Sequence, residues 1–374
     1  MRIALVIASL SAGGAERVLS RMANRWASAD NEISFITLSG AEDDFYELDA
    51  RVDRYALDLL AESTDLLDAL RANLRRARAI RHTLDRIEPD VVVSFLDTTN
   101  VLVLTSTIGT GRTVIISERT DPRAHDIGRV WSFLRALFYR RASALVVPSN
   151  GMAGWAHKVA GQRKTVVIQN PVDAPHDVRV SPSHPSRVIG MGRLEHQKGF
   201  DMLIRAFAEC ADRHPDWELV IYGKGSQRGP LGEIARVAGI AERVSLPGLT
   251  KDPFTELAAS QVFVLSSRYE GFANILTEAM SAGTASIATR CPSGPDELID
   301  NGVDGLLVPI SIGGLSSAMD ELMSDDGLRS RLGEKAKLAH RRLRVEVIME
   351  RWDDLIEDLT GRRPVAADTG GDDG

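Results

Sequence analysis

From end to end this chain alternates short β-branched runs with longer stretches of helical periodicity, and few folds accommodate that order. Strand patterns fall at residues 2–8, 33–38, 91–95, 113–117 and 144–147, then at 187–190, 218–222, 262–265 and 284–288. Helical patterns occupy 14–28, 65–87, 128–141, 199–213, 274–282, 312–323 and 328–342. Repeated βα units make parallel sheets with helices on both faces. A chain of 374 residues can build two such domains, each with its own core. The clearest interruption runs from Asn170 to Pro185, with four prolines and no hydrophobic period. We therefore expect a first domain over 1–170, a linker over 171–186 and a second domain over 187–344. The Gly/Asp-rich tail 362–374 is expected to be disordered.

Composition excludes several classes. No apolar run approaches the ~18–20 residues that span a bilayer, and the opening Met1–Leu10 segment reads as a buried parallel strand, not a signal peptide. Two cysteines, Cys210 and Cys291, supply no disulfide framework, which points to a reducing, cytoplasmic setting. Net charge is −7, unevenly spread: residues 1–170 hold 22 Lys and Arg against 20 Asp and Glu, the remainder 23 against 32. Such a chain is a poor partner for nucleic acid, whereas its first half is compatible with an anionic membrane surface.

The densest chemistry lies in the run from Arg268 to Gly283. Glu270 precedes a Gly271-Phe272 turn, and Glu278 falls inside a short helical pattern whose cap is expected at Asn274 and whose end is expected at Gly283. Two carboxylates flanking a helix N-terminus suit a ligand with hydroxyls on either side of a phosphate, the layout of a nucleotide-sugar. Arg193 and Lys198 follow the 187–190 strand, where ligands bind in open α/β sheets, and two cations there neutralise a leaving diphosphate. Gly13 and Gly14 follow the first strand, and Glu118 follows the 113–117 strand. No Asp-x-Asp signature stands at a strand end and no zinc spacing occurs, so neither a metal nor another cofactor is expected.

Two segments are basic and amphipathic. In 65–87, Leu67, Leu70, Leu74, Ala77 and Leu84 line one apolar stripe, with Arg71, Arg75, Arg78 and His82 beside it. In 129–141, Trp131 and its aromatic neighbours are flanked by arginines. Both patterns suit either an anionic membrane or acceptor, or a core face with a solvated cationic rim.

Four of these landmarks occur in order: Gly13-Gly14-Ala-Glu-Arg17, Gly192-Arg193-Leu-Glu-His-Gln-Lys198-Gly199, the Glu270-to-Glu278 run, and Gly302-Val-Asp-Gly-Leu-Leu-Val-Pro309. Together they resemble the motifs of family 4 glycosyltransferases, retaining enzymes of the GT-B fold, over nearly the whole chain. The resemblance implies two Rossmann-like domains with parallel sheets facing a central cleft, and a C-terminal helix, about 345–359, that crosses back to the first domain. It implies a hexosyltransferase that moves a hexose or N-acetylhexosamine from a nucleotide-sugar, UDP-linked, to a glycan or polyprenyl-diphosphate-linked glycan of the cell envelope, at the inner face of the membrane. By resemblance, Glu270 contacts the donor sugar, helped by N–H groups of the Gly271-Phe272-Ala273-Asn274-Ile275 segment. Glu278 binds the ribose, and Gly13 and Gly14 meet the donor phosphates or sugar. Two positions depart from the family pattern: Ala273 replaces a common Gly or Pro, and Glu118 stands near the place of a common His. A polar group at 118 orients the donor sugar or accepts a proton from the acceptor hydroxyl, or else it is an ordinary loop residue. A GT-B epimerase or phosphorylase, and a non-catalytic partner subunit, are the competing readings.

Overall fold

The computed structural model describes residues 1–366 apart from 43, 61–65, 124, 173–185 and 293, with the side chains of Leu66 and Leu67 also undescribed. It divides into unit 1, residues 1–170 with 348–374, and unit 2, residues 171–347. The expected linker lies largely outside the described residues.

Unit 1 is built from β1 (Arg2–Ile7), α1 (Gly14–Ser28), β2 (Glu32–Thr37), β3 (Val52–Ala56), α2 (Leu66–Ile87), β4 (Val91–Phe95), α3 (Asp97–Ser106), β5 (Thr113–Ser117), α4 (Arg129–Phe138), β6 (Ala144–Val147), α5 (Asn150–Ala160) and β7 (Thr165–Val167). Its strands form one parallel sheet in the order β3-β2-β1-β4-β5-β6-β7. The central strands are apolar along their length because both faces are covered: Ile3 to Ile7 and Val91 to Val93 have no exposed surface. Chain direction reverses from leftward to rightward addition at β1/β4, so the carboxyl ends of these strands form the switch-point edge.

Unit 2 follows with β8 (Ser186–Met191), α6 (Phe200–Ala211), β9 (Trp217–Tyr222), α7 (Arg228–Val237), β10 (Val244–Gly248), α8 (Pro253–Ala258), β11 (Val262–Leu265), α9 (Asn274–Ala282), β12 (Ala285–Thr289), α10 (Pro295–Leu298), β13 (Leu306–Val308), α11 (Ile312–Ser324) and α12 (Asp326–Ala339). Its parallel sheet runs β10-β9-β8-β11-β12-β13, with β8 and β11 at the switch point. Both units thus have the doubly wound α/β architecture that the alternating pattern implies.

The last helix, α13 (Val345–Thr360), packs into unit 1. Trp352 is fully buried against Phe95, ring centroids 6.1 Å apart, and the Trp26 indole N–H donates to Asp353 at 2.8 Å. Burial pushes the Asp353 carboxyl up to about 6, against the pull of that hydrogen bond. Where the chain enters and leaves unit 2, Val172 pairs with Arg344, and the Val172 N–H donates to the Leu343 carbonyl at 2.7 Å.

Two expectations need correction, and on α2 the purely core-facing reading of the apolar stripe falls. The tail is ordered through residue 366: the Asn31 side chain pairs with the Val365 backbone at 3.0 and 3.1 Å, and Arg362 reaches Asp90. Residues 367–374 lie outside the described residues. On α2 the buried positions are Ala72, Ile80, Thr83 and Leu84, whereas Leu70 and Leu74 are 58% and 47% exposed beside Arg71, Arg75 and Arg78; Leu67 is undescribed. The stripe is therefore split: Leu84 lies in the core, whereas Leu70 and Leu74 face solvent. Finally, Asn274 is the first residue of α9, not its cap; Ala273 occupies the cap position, and Gly283, at φ 82°, ends the helix.

Candidate active site

The carboxyl edge of the unit 2 sheet gathers most of the expected residues. After β8 the chain makes a short 3-10 turn, His196–Lys198, before α6. Gly199, at φ 64°, closes it, and a Cβ there would lie 2.1 Å from the Ser266 carbonyl oxygen, so glycine is required where this turn meets the strand β11 exit. The turn delivers Lys198, whose Nζ donates to Glu270 Oε1 at 2.6 Å. Ser267 Oγ donates to the same oxygen at 2.6 Å, and the Ser267 carbonyl is held in turn by Thr289. Glu270 is 5% exposed, which identifies it as a buried, paired carboxylate and not a solvated turn residue. Arg193 is exposed, its Nη2 donating to the Gln197 side chain at 3.1 Å.

Glu278 lies one turn into α9 and is 4% exposed, so it is no helix-surface carboxylate. Gly271, Phe272 and Ala273 are buried ahead of it, with Asn274 and Ile275 partly exposed at the helix opening. Behind Glu270, burial and the Glu270 charge push the Cys291 thiol up to about 12, which makes it an inert neutral wall. The edge thus presents a cation, two carboxylates and a helix N-terminus within one unit, a set able to hold hydroxyls around a diphosphate.

In unit 1, Gly13 caps α1 in an extended conformation, φ −134°, and the Glu16 carboxylate folds back against its Cα. Glu118 leaves β5 and turns inward at 1% exposure. The Tyr139 hydroxyl donates to Glu118 Oε1 at 2.5 Å, and Arg135 Nη1 lies 3.8 Å away. Burial, then the charge of Asp97, push the Glu118 carboxyl up to about 8 despite those two partners, which favours its neutral form. The group that faces outward beside it is Asp97, with His125 Nε2 at 3.7 Å. Asp97 follows Leu96, a leucine held at φ 75° where L-residues are strained. Tyr139 and Arg135 escape a reading based on strand ends, because they sit on α4 and beyond and reach Glu118 only through the fold, whereas Asp97, two residues past β4, is itself at a strand end. Among the described residues no group of three or more His, Cys, Asp and Glu is arranged to hold a metal.

Helices α2 and α4 pack on the same face of the unit 1 sheet, on either side of α3. Arg71, Arg75 and Arg78 are exposed. On α4, Trp131 packs partly against the core, while Val130, Phe133 and Leu137 are 67%, 66% and 53% exposed at helical spacing. The aromatic offered to solvent is Phe133 and not Trp131.

A doubly wound pair of units with a Lys–Glu pair and a helical glutamate at one sheet edge defines a nucleotide-sugar enzyme of the GT-B class. A family profile described as "Glycosyl transferases group 1" matches residues 174–339, and one described as "Glycosyltransferase Family 4" matches 12–175. The chain belongs to the family 4 glycosyltransferases. It is 28% identical over 366 residues, 96% of this chain and 99% of the relative, to a Campylobacter jejuni α-1,4-N-acetyl-D-galactosaminyltransferase named for a GalNAc-bearing diNAcBac-PP-undecaprenol. A second Campylobacter jejuni relative, a diphospho-undecaprenol 4-α-N-acetylgalactosaminyltransferase, is 26% identical over 66% of this chain and 71% of its own length. Among solved structures, sucrose-phosphate synthase from Thermosynechococcus elongatus superposes with a TM-score of 0.84 at 17% identity, covering 96% of this chain and 99% of that one. Anabaena HepE, in complex with UDP and glucose, gives 0.77 at 19% identity, covering 96% and 100%.

Proposed function

We propose that this glycosyltransferase moves a hexose or N-acetylhexosamine from UDP to a glycan carried on a polyprenyl diphosphate, with retention of anomeric configuration and without a metal ion. The observation that carries the reading is the Lys198–Glu270 pair, its carboxylate buried, together with the buried Glu278 one turn into α9. Lys198 and Arg193 take the charge that develops on the departing diphosphate. Glu270 holds the sugar hydroxyls and Glu278 the ribose. The bond from the anomeric carbon to the diphosphate breaks as the bond to the acceptor oxygen forms on the same face, and the acceptor's proton passes to a diphosphate oxygen. Catalysis is then positioning and electrostatics, with no protein nucleophile. The names of the Campylobacter relatives support the polyprenyl-linked acceptor.

The reading includes docking at an anionic membrane, supported by the arginines of α2 and the exposed apolar side chains of α4. Its test is incubation with UDP-sugars and an undecaprenyl-diphosphate glycan in excess EDTA. Free UDP with a lengthened, α-linked glycan is the expected product. An epimerised donor, no turnover at all, or turnover that requires added manganese or magnesium would overturn it.

A further inference from the structure

The turn that carries Lys198 and the segment that carries Glu270 are far apart in sequence, yet they are clipped together by one side chain that neither motif includes. Arg268 stands two residues before Glu270. Its backbone N–H donates to the Gln197 carbonyl at 2.8 Å, and its Nη1 donates to the His196 carbonyl at 2.7 Å. Nη1 and Nη2 also grip the two carboxylate oxygens of Asp201, on the first turn of α6, at 2.9 Å each. The lacing continues on both sides: Gln197 Nε2 donates to the Tyr269 carbonyl at 3.0 Å, and Ser266 Oγ to the Lys198 carbonyl at 2.8 Å.

Every donor of the Arg268 fork used here points at the 196–201 turn, so this arginine works on the loop and not on a ligand. A bidentate pair fixes direction as well as distance, which a lysine's point charge cannot do. Its side chain is 22% exposed and that of Asp201 29%, so the pair is partly buried and bidentate, a geometry that orients as well as holds. The need is specific. Lys198 reaches Glu270 from a turn of only three residues, and that turn is pressed so closely on Ser266 that Gly199 admits no Cβ. A displacement of about 1 Å in such a site can cost on the order of a hundredfold in rate.

We propose that Arg268, through Asp201 and the His196 carbonyl, is a positioning residue that sets Lys198 for the diphosphate of the donor. This rests on the donor-site reading above. The test uses UDP and uridine as probes, titrated calorimetrically against the full chain and its Arg268→Ala, Arg268→Lys and Asp201→Asn variants, with melting temperatures alongside. Arg268→Ala should weaken UDP about tenfold and leave uridine affinity unchanged, because only the phosphate end depends on Lys198. Asp201→Asn, which keeps the His196 bond, and Arg268→Lys, which keeps the charge without the fork, should fall between. Turnover by Arg268→Ala should drop in kcat by more than its melting temperature can explain. Unchanged UDP binding and turnover in Arg268→Ala would overturn the proposal. So would equal losses for UDP and uridine accompanied by a lowered melting temperature, which would make Arg268 merely structural. A parent chain that binds no UDP would remove the donor-site reading itself, whereas a binding parent with an unaffected variant removes only the clip.

Discussion

Lys198 and Glu270 satisfy each other across 2.6 Å before any donor arrives, and this sets what their removal should do. On the proposed donor site, Lys198→Ala removes the cation for the diphosphate and leaves the buried Glu270 with Ser267 as its one described side-chain partner, so most transfer should vanish, at a cost of about 2–4 kcal/mol of transition-state stabilisation. Glu278→Ala should do likewise through the ribose, with circular dichroism unchanged. Near-normal turnover by either purified variant would sink the site assignment. Glu118 predicts a pH signature. Its folded-state carboxyl is raised to about 8 from an ordinary 4.5, so the stability it contributes is complete below pH 4.5 and is lost as pH rises towards 8. Glu118→Gln mimics the neutral acid, so its melting temperature relative to the parent should climb between pH 4.5 and 8 and then level off. A constant difference across that range would mean that Glu118 is charged in the folded chain. The placing of Arg193, Lys198 and Glu270 after strands, and of Glu278 inside a helix, was legible in the sequence from motif spacing. The inward turn of Glu118 was not, since it depends on Arg135 from the next helix and on Tyr139 just beyond it.

At the scale of elements, α2 and α4 carry an unusual surface. Neighbouring leucines and arginines share the solvent face of α2, and three apolar side chains line one side of α4. Each Lys or Arg near an anionic bilayer is worth about 1 kcal/mol, so Arg71→Gln, Arg75→Gln and Arg78→Gln combined should clearly weaken sedimentation with anionic liposomes. Phe133→Ser should weaken it further, whereas the salt sensitivity that screens the arginines should leave the Phe133 contribution in place. Equal sedimentation of parent and variants would make these helices solvated faces. Amphipathic period located α2, but not which side was buried, because the leucines and the true core residues both recur at helical spacing. Helix α3 went unseen for the opposite reason. Val101 to Leu104 are all buried, so no polar face marks it. Edge strand β3, with Asp53 and Arg54 inside it, hides behind its charges.

Across the whole molecule, His340 offers a probe of unit 2. Burial and the Arg342 charge push its imidazole down to about 4, so unit 2 should lose stability as pH falls from 6.5 towards 4, by at most about 3 kcal/mol from this group. His340→Gln should flatten that acid limb of the melting curve, and an unchanged limb would assign it to other groups. The alternation of strands and helices made both sheets readable in advance. What it left out was that the two ends of unit 2 meet, which no local pattern encodes.

That meeting of Val172 with Arg344 and Leu343 makes unit 2 an insertion: a continuous segment spliced into a loop of unit 1. The two halves therefore differ in how they can be separated. Residues 171–347 begin and end at neighbouring points and form a natural cassette, transferable between scaffolds as one piece of gene. Unit 1 cannot be lifted out as residues 1–170 alone, because its core is completed by Trp352, Ile348 and Ile356 from the far end of the chain. Each of those side chains is worth about 1.5–3 kcal/mol when buried. A stop codon before Ile348 should thus leave unit 2 folded and unit 1 molten. Supplying the severed helix as a separate peptide should restore it, in the manner of a split protein.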